Sequence, residues 1–212
     1  METGVLFDLD GTLLNTLEDL TDSTNYILRQ YGCPERTIEE VRTFVGNGAA
    51  HQMQCALPGT PDDPPLAQVL ADYKAYYSEH AQIKTRPYDG ILEALEELRK
   101  ICPVALVSNK PDNTVKLLAR QYFGDVYALG ENSDCPRKPA PDMIYKGMKA
   151  IGVKKCIYVG DSEVDVLTAR NAGVPCLSVL WGFRDREEIE RNGGSHFCSD
   201  PRALVETLKS MM

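Results

Sequence analysis

No apolar run in this chain approaches the roughly 20 residues needed to cross a bilayer, so a membrane role is not expected. The opening Met1-Glu2-Thr3-Gly4 has neither the basic start nor the long apolar core of a secretion signal. Positive charge is in deficit: 23 Lys and Arg stand against 31 Asp and Glu, a net charge of −8. That balance argues against a nucleic-acid or membrane surface as partner. It leaves small anionic ligands open, because they respond to local rather than net charge. There is no CxxC pair, and the seven cysteines (Cys33, Cys55, Cys102, Cys135, Cys156, Cys176 and Cys198) are scattered and odd in number. They point to reduced thiols in a cytoplasmic protein and away from a disulfide framework or a zinc site. Internal repeats and low-complexity tracts are also missing.

What is present is an ordinary globular composition, 43% hydrophobic and 25% charged over 212 residues. That length suits one substantial core, or a core with a smaller appended domain. Residues 4–9 read as a buried strand. From Thr16 to Thr85 the pattern turns helical. Leu17, Leu20, Thr24, Ile27, Leu28 and Tyr31 share one face of a 3.6-residue period, and Gly32 ends it. Further helices are expected over Ile38–Phe44, Ala49–Leu57 and Leu66–His80, with a break at Gly46-Asn47-Gly48 and a Pro-rich loop over 58–65.

From Arg86 onward helices and short apolar strands alternate. Strands are expected at Val104–Asn109, Val126–Leu129, Cys156–Asp161 and Cys176–Leu180. Helices are expected at Ile91–Lys100, Asn113–Tyr122, Pro141–Ile151, Val164–Ala172 and Pro201–Met211. Fully apolar strands between helices imply a parallel sheet covered on both faces. The first strand finds its partners only after residue 86, so the helical segment is an insertion.

Ligands of open α/β sheets bind at the carboxyl ends of the strands, and polar clusters stand there. Asp8 and Asp10 are two apart, so both lean to one side of an extended chain. Asp161 and Asp165 share a helical face. Ser108 and Asn109 end another strand, and Lys138 lies in the loop Pro136-Arg137-Lys138-Pro139. Three or four converging carboxylates need a cation, and an oxygen-only set fits Mg2+ better than zinc. One aspartate could then attack phosphorus while its neighbour moves protons. Ser108, Asn109 and Lys138 offer donors and positive charge to phosphoryl oxygens, and Gly11-Thr12 lets the backbone approach an anion. Taken singly, Asp8 or Asp161 could be a helix cap, Ser108-Asn109 a loop filler and Lys138 a solvated lysine. His51 and His80 read as surface or packing residues.

The ordered set Asp8-Leu9-Asp10-Gly11-Thr12-Leu13, Val107-Ser108-Asn109, Lys138-Pro139 and Gly160-Asp161 through Asp165 resembles the four motifs of the haloacid dehalogenase-like hydrolase superfamily. Phe44-Val45-Gly46-Asn47-Gly48 and Tyr88-Asp89-Gly90 are similar to its phosphoglycolate phosphatase-type members. The resemblance covers essentially the whole chain. It implies an α/β fold: a three-layer Rossmann-like core with a parallel sheet (1–15 and 86–212) and an inserted all-helical cap domain (16–85). It also implies Asp8 as nucleophile and Asp10 as general acid/base. Thr12, Ser108, Asn109, Lys138, Gly46 and Asn47 would bind substrate. Mg2+ would be held by Asp8, the Asp10 carbonyl and Asp161, with Asp165 in support. Asn15 departs from the Asp that many relatives carry there, which should affect cap positioning more than chemistry.

The function implied is a cytoplasmic Mg2+-dependent phosphatase acting on a small phosphorylated metabolite, as a monomer or homodimer. A dehalogenase or phosphonatase would have no use for an acid/base at Asp10. A sugar-phosphate mutase or pyrophosphatase of the same superfamily remains open. A receiver-like phospho-acceptor domain shares the Asp, Ser/Thr, Lys and Mg2+ chemistry, but its fold calls for neither GDxxxD after the lysine nor a helical insertion. A non-catalytic scaffold would not need every catalytic position filled.

Overall fold

The computed structural model describes residues 2–59 and 64–212; residues 60–63, inside the loop expected over 58–65, lie outside the described residues. The elements in chain order begin with β1 (Thr3–Phe7), β2 (Leu14–Asn15), α1 (Leu17–Gln30), α2 (Ile38–Phe44), α3 (Gly48–Ala56), α4 (Leu66–His80) and β3 (Arg86–Pro87). They continue as α5 (Ile91–Arg99), β4 (Val104–Pro111), α6 (Asp112–Phe123), β5 (Tyr127–Glu131), α7 (Asp142–Ala150) and β6 (Lys155–Gly160). The last are α8 (Glu163–Ala172), β7 (Cys176–Val179), α9 (Arg186–Arg191), β8 (Phe197–Cys198) and α10 (Leu204–Met211).

Six strands form one sheet in the order β5-β4-β1-β6-β7-β8, with every pair parallel. The period-2 alternation of β1 splits its side chains between two cores. Val5 and Phe7 pack with Leu95, Leu98, Val115, Leu118 and Leu208 from α5, α6 and α10. Leu6 joins Val107, Met143, Ile144, Tyr158 and Ala169 on the opposite face, under α7 and α8. Strand segments covered on both faces must be apolar, which is why Val5–Phe7, Val104–Val107 and Cys156–Val159 are continuous hydrophobic runs.

Helices α1 to α4 bury a third cluster, built on Leu20, Ile27, Val41, Met53, Val69, Tyr73 and Tyr77 and joined by Phe183 from the loop after β7. A two-stranded antiparallel ribbon, β2 with β3, joins the two places where the chain crosses between this helical segment and the sheet. Asn15 sits in that ribbon opposite Arg86, and its Oδ1 accepts from the Leu17 backbone N–H at 3.3 Å.

Several features differ from sequence expectation. β4 runs two residues past Asn109, carrying Lys110 into the sheet. The last helix begins at Leu204, because Pro201–Ala203 form a tighter 3-10 turn whose Arg202 N–H is capped by the Asp200 carboxylate. The β2–β3 ribbon, α9 and β8 were not expected; each is too short for a hydrophobic period to register. All seven cysteines are free, and no described helix is long and apolar enough to cross a membrane.

Candidate active site

The carboxyl end of the sheet gathers its polar groups because the ends of two neighbouring strands can approach closely. Asp8 continues β1, its N–H donating to the Val159 carbonyl of β6 at 2.9 Å. Gly11 follows with φ +82°, and a Cβ there would collide with the Asp161 carboxylate. A side chain on Gly182, after β7, would strike the same carboxylate. Glycine at both positions is what allows Asp161 to stand beside the first strand. Thr12 Oγ1 donates to Asp161 Oδ1 at 3.2 Å, and the Phe183 N–H donates to Oδ2 at 2.7 Å. Thr12 is thus turned to Asp161 and does not line the cavity described below.

Asp165 is fully buried in α8 and its lone pairs are spent on the protein. Its Oδ2 accepts from the N–H groups of Asp161 and Ser162 at 3.2 and 3.1 Å and from Ser162 Oγ at 2.7 Å. Its Oδ1 accepts from Lys138 Nζ at 2.8 Å and Tyr158 Oη at 3.0 Å. Lys138, equally buried, also donates to Tyr158 Oη at 2.9 Å and pairs with Asp8 Oδ1 at 2.9 Å. The Asp8 pairing is an ion pair with poor alignment, and Asp8 Oδ1 receives no hydrogen bond of good geometry from the described residues.

Oxygens of Asp8, Asp161 and Asp165 lie within 4.8 Å of one another in this dry setting. Burial raises the Asp8 pKa to about 7, with Lys138 opposing and Asp165 and Asp10 reinforcing the shift. Burial, then Asp165 and Asp8, push Asp161 well above the carboxylate range. Burial works against the charge on Lys138, but Asp165 and Asp8 outweigh it and hold that amine above its usual value. Too much negative charge for one lysine, an Asp8 oxygen without an aligned donor, and an all-oxygen ligand set together fit a hard divalent cation of the Mg2+ class.

The second motif is differently engaged. Asn109 accepts from the Lys138 N–H at 2.7 Å and donates to the carbonyls of Lys138 and Gly46 at 2.9 and 3.0 Å. Its amide therefore fastens the Lys138 loop and the helical segment to β4. Ser108 lines the cavity, its Oγ accepting from the Lys110 N–H at 3.3 Å. Lys110 Nζ donates to both oxygens of Asp10, at 2.8 and 3.0 Å.

Above these groups the helical segment closes a cavity of about 40 Å³. Its floor carries Asp8, Asp10, Ser108, Lys110, Lys138 and Asp161; its roof carries Gly46, Gly48, Gln52, Tyr73 and Tyr77. Gly46 lines it and Asn47 does not. The roof is tied down by Arg184, which donates to the carbonyls of Arg42, Thr43 and Val45 at 2.9, 3.3 and 2.7 Å. Arg42 returns hydrogen bonds to the carbonyls of Phe183 and Gly182 at 2.7 and 3.2 Å.

Sequence reasoning missed Lys110, Tyr77 and Arg184. A lysine beside Ser108-Asn109 could have been noticed as a third polar residue closing an apolar strand. Tyr77 on its helix and Arg184 in its loop carry no local signal, since their partners lie far away in the chain.

Carboxylates at the ends of adjacent parallel strands, a buried lysine between them and a roofed cavity are the features that an α/β site for a compact anion and a hard cation would need. The chain belongs to the haloacid dehalogenase-like hydrolases, whose family model matches residues 5–179. It is 34% identical over 191 residues to a phosphoglycolate phosphatase of Rhodobacter capsulatus, covering 87% of each chain. It is also 34% identical over 189 residues to one of Thiobacillus denitrificans, covering 84% of this chain and 83% of the relative. A solved structure from Lactobacillus delbrueckii subsp. bulgaricus superposes with a TM-score of 0.88 at 34% identity, covering 97% of both chains.

Proposed function

We propose that the chain is a Mg2+-dependent phosphatase that hydrolyses a small phosphomonoester, phosphoglycolate, through an aspartyl-phosphate on Asp8. The observation that carries this reading is Asp8 itself: a buried carboxylate on the cavity floor, paired with Lys138 and within 4.8 Å of Asp161 and Asp165. The choice of phosphoglycolate follows the names of the relatives and the small cavity.

In this mechanism Asp8 attacks phosphorus and Asp10 protonates the departing oxygen; Asp10 then takes a proton from the water that cleaves the acyl phosphate. Lys138 and the Ser108 hydroxyl balance charge on the phosphoryl oxygens. Asp8, the Asp10 carbonyl and Asp161 would hold Mg2+, and Asp165 supports them by orienting Lys138 and the Asp161 backbone. When bound, the metal supplies charge neutralisation that lets several carboxylates stay ionised together. Residues 16–85 act as a cap on the core formed by 1–15 and 86–212, excluding bulk water while chemistry proceeds. Seven free cysteines suit a reducing, cytoplasmic compartment.

The test is hydrolysis of an aryl phosphate and of phosphoglycolate by purified protein. Asp8→Asn should abolish turnover and Asp10→Asn should nearly do so, because each removes a group used in the transition state. Full activity of Asp8→Asn, or of wild type in excess EDTA, would overturn the nucleophile or the metal assignment respectively.

A further inference from the structure

Lys110 is a buried cation in the cavity wall that the mechanism above leaves without a task. Its side chain is 2% exposed, a costly place for an ammonium unless it is needed. Both of its hydrogen bonds go to the single carboxylate of Asp10, at 2.8 and 3.0 Å, although an ammonium has three donors. The ring of Tyr77 lies 4.6 Å from Nζ, close enough for its face to favour the cation. Tyr77 lines the same cavity, and its buried hydroxyl has no hydrogen-bond partner among the described residues. Hydrogen-bonding capacity left unused on one small cavity calls for a ligand with oxygens to supply.

Position says which oxygens. A leaving group that receives its proton from Asp10 must seat its ester oxygen against that carboxylate, which is itself in direct contact with Lys110. In a 2-phosphooxy acid the carboxylate carbon is two bonds from the ester oxygen, so a leaving group seated on Asp10 carries its carboxylate to the lysine. We infer that Lys110 is a specificity-determining residue that selects leaving groups bearing a carboxylate next to the ester oxygen, with Tyr77 closing over the pair from the cap. This rests on the phosphatase reading and deepens it. The rival role, neutralising Asp10 alone, would affect substrates alike whatever the charge of their leaving group.

The experiment compares kcat and KM for phosphoglycolate and for ethyl phosphate, which replaces the carboxylate by a methyl group, in Mg2+-supplemented wild type, Lys110→Met and Lys110→Arg. Wild type should prefer phosphoglycolate. In Lys110→Met the ratio of the two kcat/KM values should shrink by about 10- to 100-fold, the range set by hydrogen bonds to charged groups, chiefly through KM for phosphoglycolate. Lys110→Arg should keep more of the ratio because it keeps the charge.

A second readout needs no turnover and no variant: 3-phosphonopropionate should inhibit wild type more tightly than propylphosphonate by a similar factor. A wild type that hydrolyses both esters without preference, and binds both phosphonates equally, overturns the inference and leaves the phosphatase standing. A preference that survives intact in Lys110→Met overturns the role of Lys110 alone. A wild type that hydrolyses neither ester nor any other phosphomonoester overturns both readings.

Discussion

Arg184 Nη2 donates to the backbone oxygen of Val45 at 2.7 Å, so a buried arginine from the loop after β7 holds the C-terminal end of α2. The same guanidinium reaches Thr43 and Arg42, while its Nε pairs with Glu163 at 3.0 Å. Replacing Arg184 by Met should loosen the cap without removing any reacting group. Hydrogen exchange at residues 38–49 should quicken and KM for small phosphomonoesters should rise severalfold. Unfolding in urea should show a loss on the order of 1–3 kcal/mol. Unchanged exchange across 38–49 would mean that the apolar roof, and not Arg184, sets closure.

Asp19 makes a second tie, at the crossings. It is 2% exposed and accepts from the backbone N–H of Lys84 at 2.9 and 3.0 Å and of Thr85 at 2.8 Å. The start of α1 is thus fastened to the chain leaving the helical segment, beside the β2–β3 ribbon. Asp19→Ala strands those buried amides and should cost about 1–3 kcal/mol in urea unfolding. Asp19→Asn, which retains acceptor oxygen, should recover part of the loss. Equal stability of Asp19→Ala and wild type would show that the ribbon alone fixes the crossings.

These ties also show where sequence stops being informative. The strands carrying Asp8, Ser108 and Asp161 were legible because apolar runs bounded by polar residues leave little freedom. The ordered motifs point to four polar clusters at the carboxyl ends of the strands. The role of Asn109 was not legible: an amide beside a serine reads as a donor for substrate, yet its hydrogens go to the Lys138 and Gly46 carbonyls. Lys110 finds Asp10 a hundred residues away, and Arg184 finds Val45 139 residues away. Contacts of that range are set by packing, which a local pattern does not encode. Short elements such as α9 and the ribbon escape for a different reason, since they hold too few residues to display a period.

Lys138 offers a sharper test of the buried charges. It pairs its charge with Asp8 and Asp165 at once, so Lys138→Met leaves two carboxylates without their cation. Removing one partner of a buried pair typically costs about 3–5 kcal/mol, and activity should fall below detection. Lys138→Arg should also fail, because a planar fork cannot occupy the place of an ammonium that bonds Asp165 and Tyr158 and pairs with Asp8. Retention of substantial activity by the arginine variant would show that only the charge matters.

The metal-free protein should carry a pH signature with a defined sign. Burial, reinforced by Asp165 and Asp10 against Lys138, moves the Asp8 pKa from 3.8 to about 7. Between those values the folded chain keeps a proton that the unfolded chain has released. This group therefore leaves the fold most stable below about pH 4 and subtracts stability as pH rises toward 7. A divalent cation that binds only the folded state reverses the penalty by favouring the ionised carboxylate, and protons compete with it. In EDTA, the fall in melting temperature from about pH 5 to about pH 8 should be steeper for wild type than for Asp8→Asn, which has no proton to lose there. Millimolar Mg2+ should raise the wild-type melting temperature more at the higher pH. Parallel profiles for wild type and Asp8→Asn in EDTA, with equal Mg2+ gains at both pH values, would rule out Asp8 as the titrating metal ligand.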